Sequence, residues 1–177
     1  MSPNEMREVA AQVENLMKDD AIRIMGIEGT KHFKKSFQDE GFTDETLQKW
    51  EDLKPSTIKN KTRANGSTPG ILTNQGHLGD AVDWNADYNG VTFKNDRPYA
   101  QVHNEGGTVS KGARSETFVR NRGTNNRFAP GTTAGKGFSF KESSFQMPKR
   151  QFMGPSKKLE EKIVEKITKR LDRLMNR

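Results

Sequence analysis

The spacing of apolar residues predicts helices at both ends of the chain. Ser2-Pro3 is a typical helix start, because proline at the first helical position loses no helical hydrogen bond. Residues 22–37 continue an apolar face at steps of three or four, and Gly26 and Gly29 on it indicate close packing of another backbone. Ser156 is a predicted N-cap. The helix after it carries an apolar stripe that packs on the domain itself or on a partner helix: Leu159, Ile163, Ile167, Leu171 and Leu174.

Alternating apolar and polar residues predict a small antiparallel sheet over residues 71–103. Asn89-Gly90 is a strong hairpin signal, because a type I′ turn needs positive φ at both central positions. The strand before this turn places Val82 and Trp84 on one face, and residues 99–102 supply a third strand. We expect the N-terminal helices to cover one face of this sheet.

Two shorter segments connect these elements. Thr43-Asp44-Glu45 can start a short helix that ends near Trp50 and Leu53, and these two apolar residues are predicted core anchors. Residues 60–70 are polar and contain glycine and proline, which predicts a loop.

Residues 107–146 form a polar, glycine-rich excursion, here called the arm. An irregular loop of about forty residues is uncommon in a compact domain unless it has a function or is disordered. Seven cationic side chains oppose two acidic ones, and five phenylalanines lie among them. Disordered segments are normally poor in aromatic residues. We therefore predict that the arm is mobile in the free protein and becomes ordered on a partner; the alternative is a disordered loop without a role.

Composition supports a small core and a basic surface. The hydrophobic fraction is 31%, or about 40% with glycine included, below the roughly 45–50% of globular domains. Some apolar surface is therefore expected to be covered by other subunits. The net charge is +7. This balance is compatible with nucleic acid, an acidic protein, a negatively charged surface or an ordinary solvated exterior.

Several function classes find no support in the sequence. The absence of cysteine excludes disulfides and thiolate metal sites. We expect neither a signal peptide nor a membrane span, and synthesis in the cytoplasm. His32 follows Glu28 by one helical turn without a third metal ligand, and His103 near Glu105 lacks a nucleophile motif. We predict no catalytic residues, no cofactor and no metal.

Five short blocks, taken in order, resemble a known family. They are Phe33-Lys34-Lys35-Ser36-Phe37, Trp50-Glu51-Asp52-Leu53-Lys54-Pro55-Ser56-Thr57, Ile71-Leu72-Thr73-Asn74-Gln75-Gly76-His77-Leu78, Tyr99-Ala100-Gln101-Val102-His103-Asn104-Glu105-Gly106-Gly107 and Met147-Pro148-Lys149-Arg150-Gln151-Phe152-Met153-Gly154. With the closing amphipathic helix, the chain resembles the virion morphogenesis (tail-completion) family of Mu-like and related tailed bacteriophages. The resemblance runs from about Ile22 to the C-terminus and leaves out the first helix and the arm.

The resemblance implies an α+β fold in a single domain over residues 1–177. Helices over about residues 3–53 and a C-terminal helix over about residues 156–176 would pack against the small sheet over 71–103. The implied role is structural: a ring subunit in the virion neck that completes the tail or joins it to the filled head. A head-side adaptor or stopper ring, or a basic nucleic-acid-binding accessory protein, is the alternative.

The implied partners are further copies of the chain in a hexameric ring, the tail tube and the head–tail connector proteins. DNA would pass only as cargo through the ring, no membrane is involved, and assembly takes place in the bacterial host cytoplasm. At the base of the arm, Pro148 and Arg150 are predicted to fix the returning chain, with Phe152 as an apolar plug. Arm residues predicted to contact neighbouring subunits or neck partners are Arg114, Phe118, Arg120, Arg122, Arg127, Phe128, Phe138 and Phe140.

Overall fold

The structure is a computed structural model of the chain. It describes residues 3–65, 70–87, 90–116, 119–122, 128–134 and 138–176. Within these ranges it describes only the backbone of residues 16–17, 65, 114–116, 119–122, 128–134 and 138–140.

The chain divides into two compact units. The first, here called the body, comprises Met1–Gly106 and Pro148–Arg177, and the second is Gly107–Met147, which contains the arm. Helices and short antiparallel strand pairs together give an α+β fold, as the sequence predicts. The prediction of a single domain with an appendage stays a prediction.

The body combines six α-helices with two strand pairs in its described residues. Its helices are α1 (Pro3–Asn15), α2 (Ala21–Asp39), α3 (Pro55–Asn65), α4 (His77–Asp80), α5 (Ala100–Glu105) and α6 (Lys157–Met175), with a π-helical turn at Leu16–Asp20 between α1 and α2. Its strands are β1 (Gly41–Thr43), β2 (Leu47–Lys49), β3 (Val82–Asp87) and β4 (Gly90–Asn95). The pairs β1–β2 and β3–β4 are both antiparallel.

An aromatic cluster forms the centre of the body. The ring of Phe37 lies 5.8 Å from that of Trp50 and 5.1 Å from that of Phe152. Phe152 is only 1% exposed, and Leu53 packs against the same cluster. The predicted roles of Trp50 and Leu53 as core anchors and of Phe152 as a plug are therefore confirmed.

The β3–β4 hairpin packs closely on α2. A Cβ atom at Gly26 would collide with the indole of Trp84, and one at Gly29 with the ring of Phe93. The two glycines therefore make room for aromatic side chains, not for another backbone as the sequence analysis expects. The hairpin itself is confirmed, with Asp87 opposite Gly90; the predicted turn residue Asn89 lies outside the described residues.

The predicted helix after Thr43 is wrong. Residues 41–49 instead form the β1–β2 pair, and Trp50 N donates to Glu40 O at 2.9 Å. The capping signal is nevertheless used, because Asp44 Oδ1 accepts from the backbone N–H of Lys157 at 2.8 Å. Thr43 O also accepts from the Ser156 hydroxyl at 2.9 Å. This segment caps α6, which is distant in sequence, and does not start a helix of its own.

Two further predictions are corrected. Residues 60–65, predicted as loop, belong to α3, which begins at Pro55 because proline suits the first helical position. Residues 99–102, predicted as a strand, enter the short helix α5. In this turn His103 N donates to Tyr99 O at 3.2 Å and Gly106 N to Val102 O at 3.0 Å.

The C-terminal helix begins as predicted. The Ser156 hydroxyl accepts from Leu159 N at 3.1 Å, which caps α6. Leu159 is buried, and the rest of the apolar stripe is half-buried along a helix that contacts α2 and α1. The stripe therefore packs on the body itself, whereas Val164 beside it is exposed.

The second unit consists of paired strands where the sequence predicts an irregular loop. The strands are β5 (Gly107–Lys111), β6 (Arg114–Glu116), β7 (Val119–Arg122), β8 (Phe128–Ala134), β9 (Phe138–Phe140) and β10 (Ser143–Met147). They pair as β5–β10, β6–β9 and β7–β8, each antiparallel. The three pairs are nested along the chain, so the described strands of the arm follow the order of one interrupted β-hairpin.

Candidate interaction surface

The register of the arm is continuous over its first two strand pairs. Gly107 lies opposite Met147, and Arg114 opposite Phe140, so no residue is inserted on either strand between these positions. The register changes by one residue between the Glu116–Phe138 and Val119–Ala134 pairs, and it shifts again between Val119 and Arg120. At the base, Thr108 Oγ1 donates to Gln146 Oε1 at 2.8 Å. Lys111 Nζ lies 5.8 Å from the centre of the Phe145 ring.

The predicted contact residues of the arm fall mostly on its strands. Three strand positions pair a cation or an acid with an aromatic residue: Arg114 lies opposite Phe140, Arg122 opposite Phe128, and Glu116 opposite Phe138. Arg120 lies opposite Pro130. Phe118 and Arg127 lie outside the described residues. The hairpin thus brings cationic and aromatic residues together in cross-strand register, but their role at an interface stays a prediction.

A clamp in the body joins the two chain segments that lead into and out of the arm. Arg150 N donates to His103 O at 2.8 Å. Asn104 Oδ1 accepts two backbone N–H groups, from Phe152 at 2.9 Å and from Met153 at 3.0 Å. Trp50 completes the clamp, because its Nε1 donates to Gln151 O at 2.7 Å. These contacts join three of the sequence blocks into one structure.

The guanidinium of Arg150 is the buried charge of this clamp. Its Nε and Nη2 donate to Glu51 O at 3.1 and 2.9 Å, and Nη2 also reaches Asp52 O at 3.3 Å. Burial lowers the pKa of Arg150, and the Glu51 carboxylate opposes this effect. Burial lowers the pKa of His103 as well, with a further contribution from the Arg150 charge. The clamp therefore holds a cation on backbone carbonyls beside a histidine whose neutral form is favoured.

Sequence analysis names Arg150 and Phe152 at this place but misses Asn104. Its side-chain oxygen accepts the backbone N–H groups of residues 152 and 153, as a carbonyl of a neighbouring strand would. The signal for it is an asparagine directly before Glu105-Gly106, since asparagine often bonds to backbone groups near a turn.

A buried acid joins α2 to α6. Glu28 is 3% exposed, and its carboxylate lies 2.6 Å from Lys166 Nζ and 3.0 Å from Lys162 Nζ. Burial by itself raises the pKa of Glu28, but the hydrogen bonds from these two lysines outweigh it and lower the pKa to about 2. Glu28 does not pair with His32, whose Nε2 lies 2.9 Å from Thr43 O. The cluster fixes α6 against α2 electrostatically.

An apolar groove of about 520 Å³ opens on the body beside β4. Its walls are Val91, Thr92 and Phe93 on one side and the first turns of α6 on the other, with Phe33 also contributing. The rings of Phe33 and Phe93 meet edge to face at 5.0 Å. Glu160 lines the groove and is exposed.

No group of three potential metal ligands occurs in the described part of the chain. His77 Nε2 lies 3.0 Å from Gln75 Oε1 at the surface. None of the helices that the structure describes is long and apolar enough to cross a bilayer.

The described residues thus contain a clamp between distant chain segments, a charged joint between two helices and an open apolar groove. A model of the phage virion morphogenesis family matches residues 31–172. The chain therefore belongs to the phage virion morphogenesis family and has a role in building phage particles. The match begins somewhat later than Ile22 and includes the arm within its range. No curated protein and no solved structure matches the chain.

Proposed function

We propose that the chain is a non-enzymatic ring subunit in the neck of a tailed phage virion, where it completes the tail or joins it to the DNA-filled head. Family membership supports the virion role. The clamp is the observation that carries the finer proposal. It holds the departing and returning segments together through the 2.8 Å bond from Arg150 N to His103 O, so a folded body can present the arm to a neighbour.

The arm needs a partner surface for physical reasons. Fixing the backbone costs roughly 1–2 kcal/mol per residue, and a two-stranded hairpin is at best marginally stable in water. The five arm phenylalanines can offset this cost only if they are buried. Neighbouring subunits supply such a surface in a ring, where head-to-tail contacts repeat until the ring closes. We propose a hexamer that matches the rotational order of the tail.

The partners follow from this geometry. The phenylalanines of the arm fill gaps between subunits, and its arginines meet acidic surface on a neighbour, the tail tube or a head–tail connector protein. DNA passes through the lumen without being the ligand. The chain then resides in the virion neck, and particles are assembled in the host cytoplasm.

Cryo-electron microscopy of virions tests the position. Density for a ring of this chain at the head-proximal end of the tail tube is expected. Density against the portal would favour the head-side adaptor or stopper. A single copy per particle, or an open filament of the chain, would contradict the ring.

Deletion of residues 108–144, bridged by a short Gly/Ser linker, tests the arm. We expect a folded, soluble body that fails to join heads to tails, because the clamp lies outside the deleted segment. A second variant keeps the arm length but replaces Phe128, Phe138 and Phe140 by serine. It should fail at the same step as the deletion. Normal infectious particles with the deletion would show that the arm has no role in joining.

The charge of the arm supports a second candidate, a basic nucleic-acid-binding accessory protein. Binding of this kind weakens steeply with salt, since each phosphate contact releases a counterion. Purified protein should then retard single- or double-stranded DNA at low salt. If it retards neither, this candidate is to be dropped.

A further inference from the structure

His103 has a buried ring nitrogen that no group in the described residues satisfies. Its Nδ1 is enclosed and has no hydrogen-bond partner there, while its backbone oxygen accepts the 2.8 Å bond from Arg150 N that closes the clamp. In a neutral ring with the proton on Nε2, Nδ1 is an acceptor without a donor. Protonation turns it into a buried, charged donor without an acceptor, which costs more because a charged group loses more solvation.

The groups around this ring disfavour a positive charge on it. On the returning segment, Arg150 lies close enough for its charge to add to burial in lowering the pKa of His103. On the departing segment, Tyr99 contributes an aromatic ring, edge to face at 6.1 Å. Glu105 is exposed and accepts from Gln101 Nε2 at 3.2 Å. Within the described residues, the ring of His103 therefore has a cation beside it and no carboxylate bonded to it.

The guanidinium of Arg150 is held in place and cannot move away from a charged His103 without losing its own partners. It donates to Glu51 O and Asp52 O, and the Glu51 carboxylate favours its charge. The same guanidinium acts on Lys61, whose pKa is lowered by burial and by Arg150, with Glu40 opposing both. The two acids thus already face two cations, and a protonated His103 adds a third positive charge.

We propose that protonation of His103 opens the clamp, so that the chain segments leading into and out of the arm are joined at neutral pH and separate in mildly acidic solution. The charge is relieved when the ring turns out to water. This movement breaks the bond from Arg150 N to His103 O and takes Asn104, the next residue, away from residues 152 and 153. The proposal goes beyond the neck role and holds or fails independently of it.

The direction of the effect follows from burial and charge. The pKa of His103 is lowered from 6.5 in the closed clamp, whereas an opened, hydrated segment binds the proton normally. Acidification through this range therefore favours the open form, and the closed clamp is most stable above about pH 7. The carboxylate of Glu28, whose pKa is about 2, stays ionised throughout this range.

Hydrogen exchange in the purified protein, followed by NMR, tests the proposal at the clamp itself. Between about pH 7.5 and about pH 5, the backbone N–H groups of Arg150, Phe152 and Met153 should lose at least about threefold in protection, after correction for the intrinsic exchange rate. The loss should follow the titration of the His103 ring, which should occur at lower pH than in the urea-unfolded protein. Unchanged protection, or a loss that does not follow this titration, would overturn the proposal.

Two matched variants separate His103 from the other histidine with a lowered pKa. His32 lies on α2 with its Nε2 2.9 Å from Thr43 O. His103→Gln removes the titrating group and keeps the backbone bond, so clamp protection should stay within about threefold of the parent near neutral pH and no longer fall with acid. His32→Gln should leave the fall unchanged. The reverse result would assign the pH sensitivity to His32 and overturn the proposal.

Amides in α6 distinguish a local opening from unfolding of the body. The N–H groups of Ile163 and Ile167, inside this helix, should change by less than about twofold in protection over the same pH range. A loss as large as that in the clamp would overturn a local opening. If His103→Gln does not fold, the parent protein still decides, because its clamp amides must follow the His103 titration and its α6 amides must not.

Discussion

The body and the base of the arm place aromatic side chains in opposite environments. In the body, Phe33, Phe37, Phe42 and Phe152 are buried in one cluster. In the arm, Phe145 is 43% exposed and is covered on one side by Lys111. The body gains stability within a single chain, whereas the side chains described at the base of the arm, in residues 107–113 and 141–147, are exposed or half-buried. This difference agrees with the proposal that the body is stable by itself and that the arm is completed by a neighbour.

The largest expected difference is in the loss of stability caused by one phenylalanine-to-alanine substitution in each region. Phe152→Ala in the body should lower the free energy of unfolding by about 3–5 kcal/mol, because it leaves a cavity in the aromatic cluster. Phe145→Ala in the arm should cost less than about 1 kcal/mol, since the ring is half exposed. Urea denaturation of the free protein measures both; similar losses would erase the distinction.

The clamp should be the next most sensitive place. Asn104→Ala leaves the N–H groups of Phe152 and Met153 without their acceptor, and each lost partner costs about 1–3 kcal/mol, for a total of about 3 kcal/mol. Asn104→Asp keeps an acceptor oxygen and should restore much of the stability. Denaturation midpoints of the two variants compare them directly. Equal destabilisation by Ala and Asp would mean that acceptance of these N–H groups is not what the residue contributes.

Glycine substitutions sharpen the comparison further. Gly29→Ala should destabilise the body by about 2 kcal/mol, because the new methyl group overlaps the Phe93 ring and this outweighs the gain in helix propensity. Gly112→Ala in the arm should be close to neutral, as no atom lies within 4 Å of its Cβ position. Thermal unfolding of both variants provides the measurement. A stabilised Gly29→Ala protein would show that the hairpin can move away from α2.

The smallest expected effect concerns pH. The pKa of Glu28 falls from 4.5 to about 2 on folding, so its contribution is complete above about pH 5 and is lost as the pH falls towards 2. This shift corresponds to at most about 3 kcal/mol, and to about 1–2 kcal/mol after allowance for the half-exposed lysine partners.

Glu28→Gln tests this contribution. The variant should be less stable at pH 7, and its stability should change less between pH 5 and pH 2 than that of the parent protein. Glu165→Gln is the matched control, because Glu165 pairs with Lys169 at the exposed surface of α6. If the cluster contributes no free energy to folding, denaturant curves across this pH range will instead show the same acid sensitivity for the parent protein and Glu28→Gln.

Local patterns predicted the long helices and the central hairpin, because their signals act within a few residues. The spacing of apolar residues by three or four positions through Phe33 and Phe37 predicted α2, and Ser156 predicted the start of α6. The alternation around Trp84 gave β3. The α+β class followed from these elements.

The features that were not predicted depend on contacts between residues distant in sequence. Asp44 carries a capping signal, but it caps α6, more than a hundred positions later. Residues 99–102 have a strand-like composition, yet they form a helical turn that brings Asn104 to residues 152 and 153. The groove beside β4 was not predictable, because α2, β4 and α6 meet there only after folding.

The clamp also has a consequence for how such chains can change over time. Because the arm leaves and returns at positions joined by the bond from Arg150 N to His103 O, the loop-closure entropy of the body depends only weakly on arm length; each doubling costs about 0.6 kcal/mol. Arms of other lengths can therefore be grafted between Gly106 and Pro148 with little effect on folding. Recombination between phages could therefore exchange the arm while the body is inherited intact.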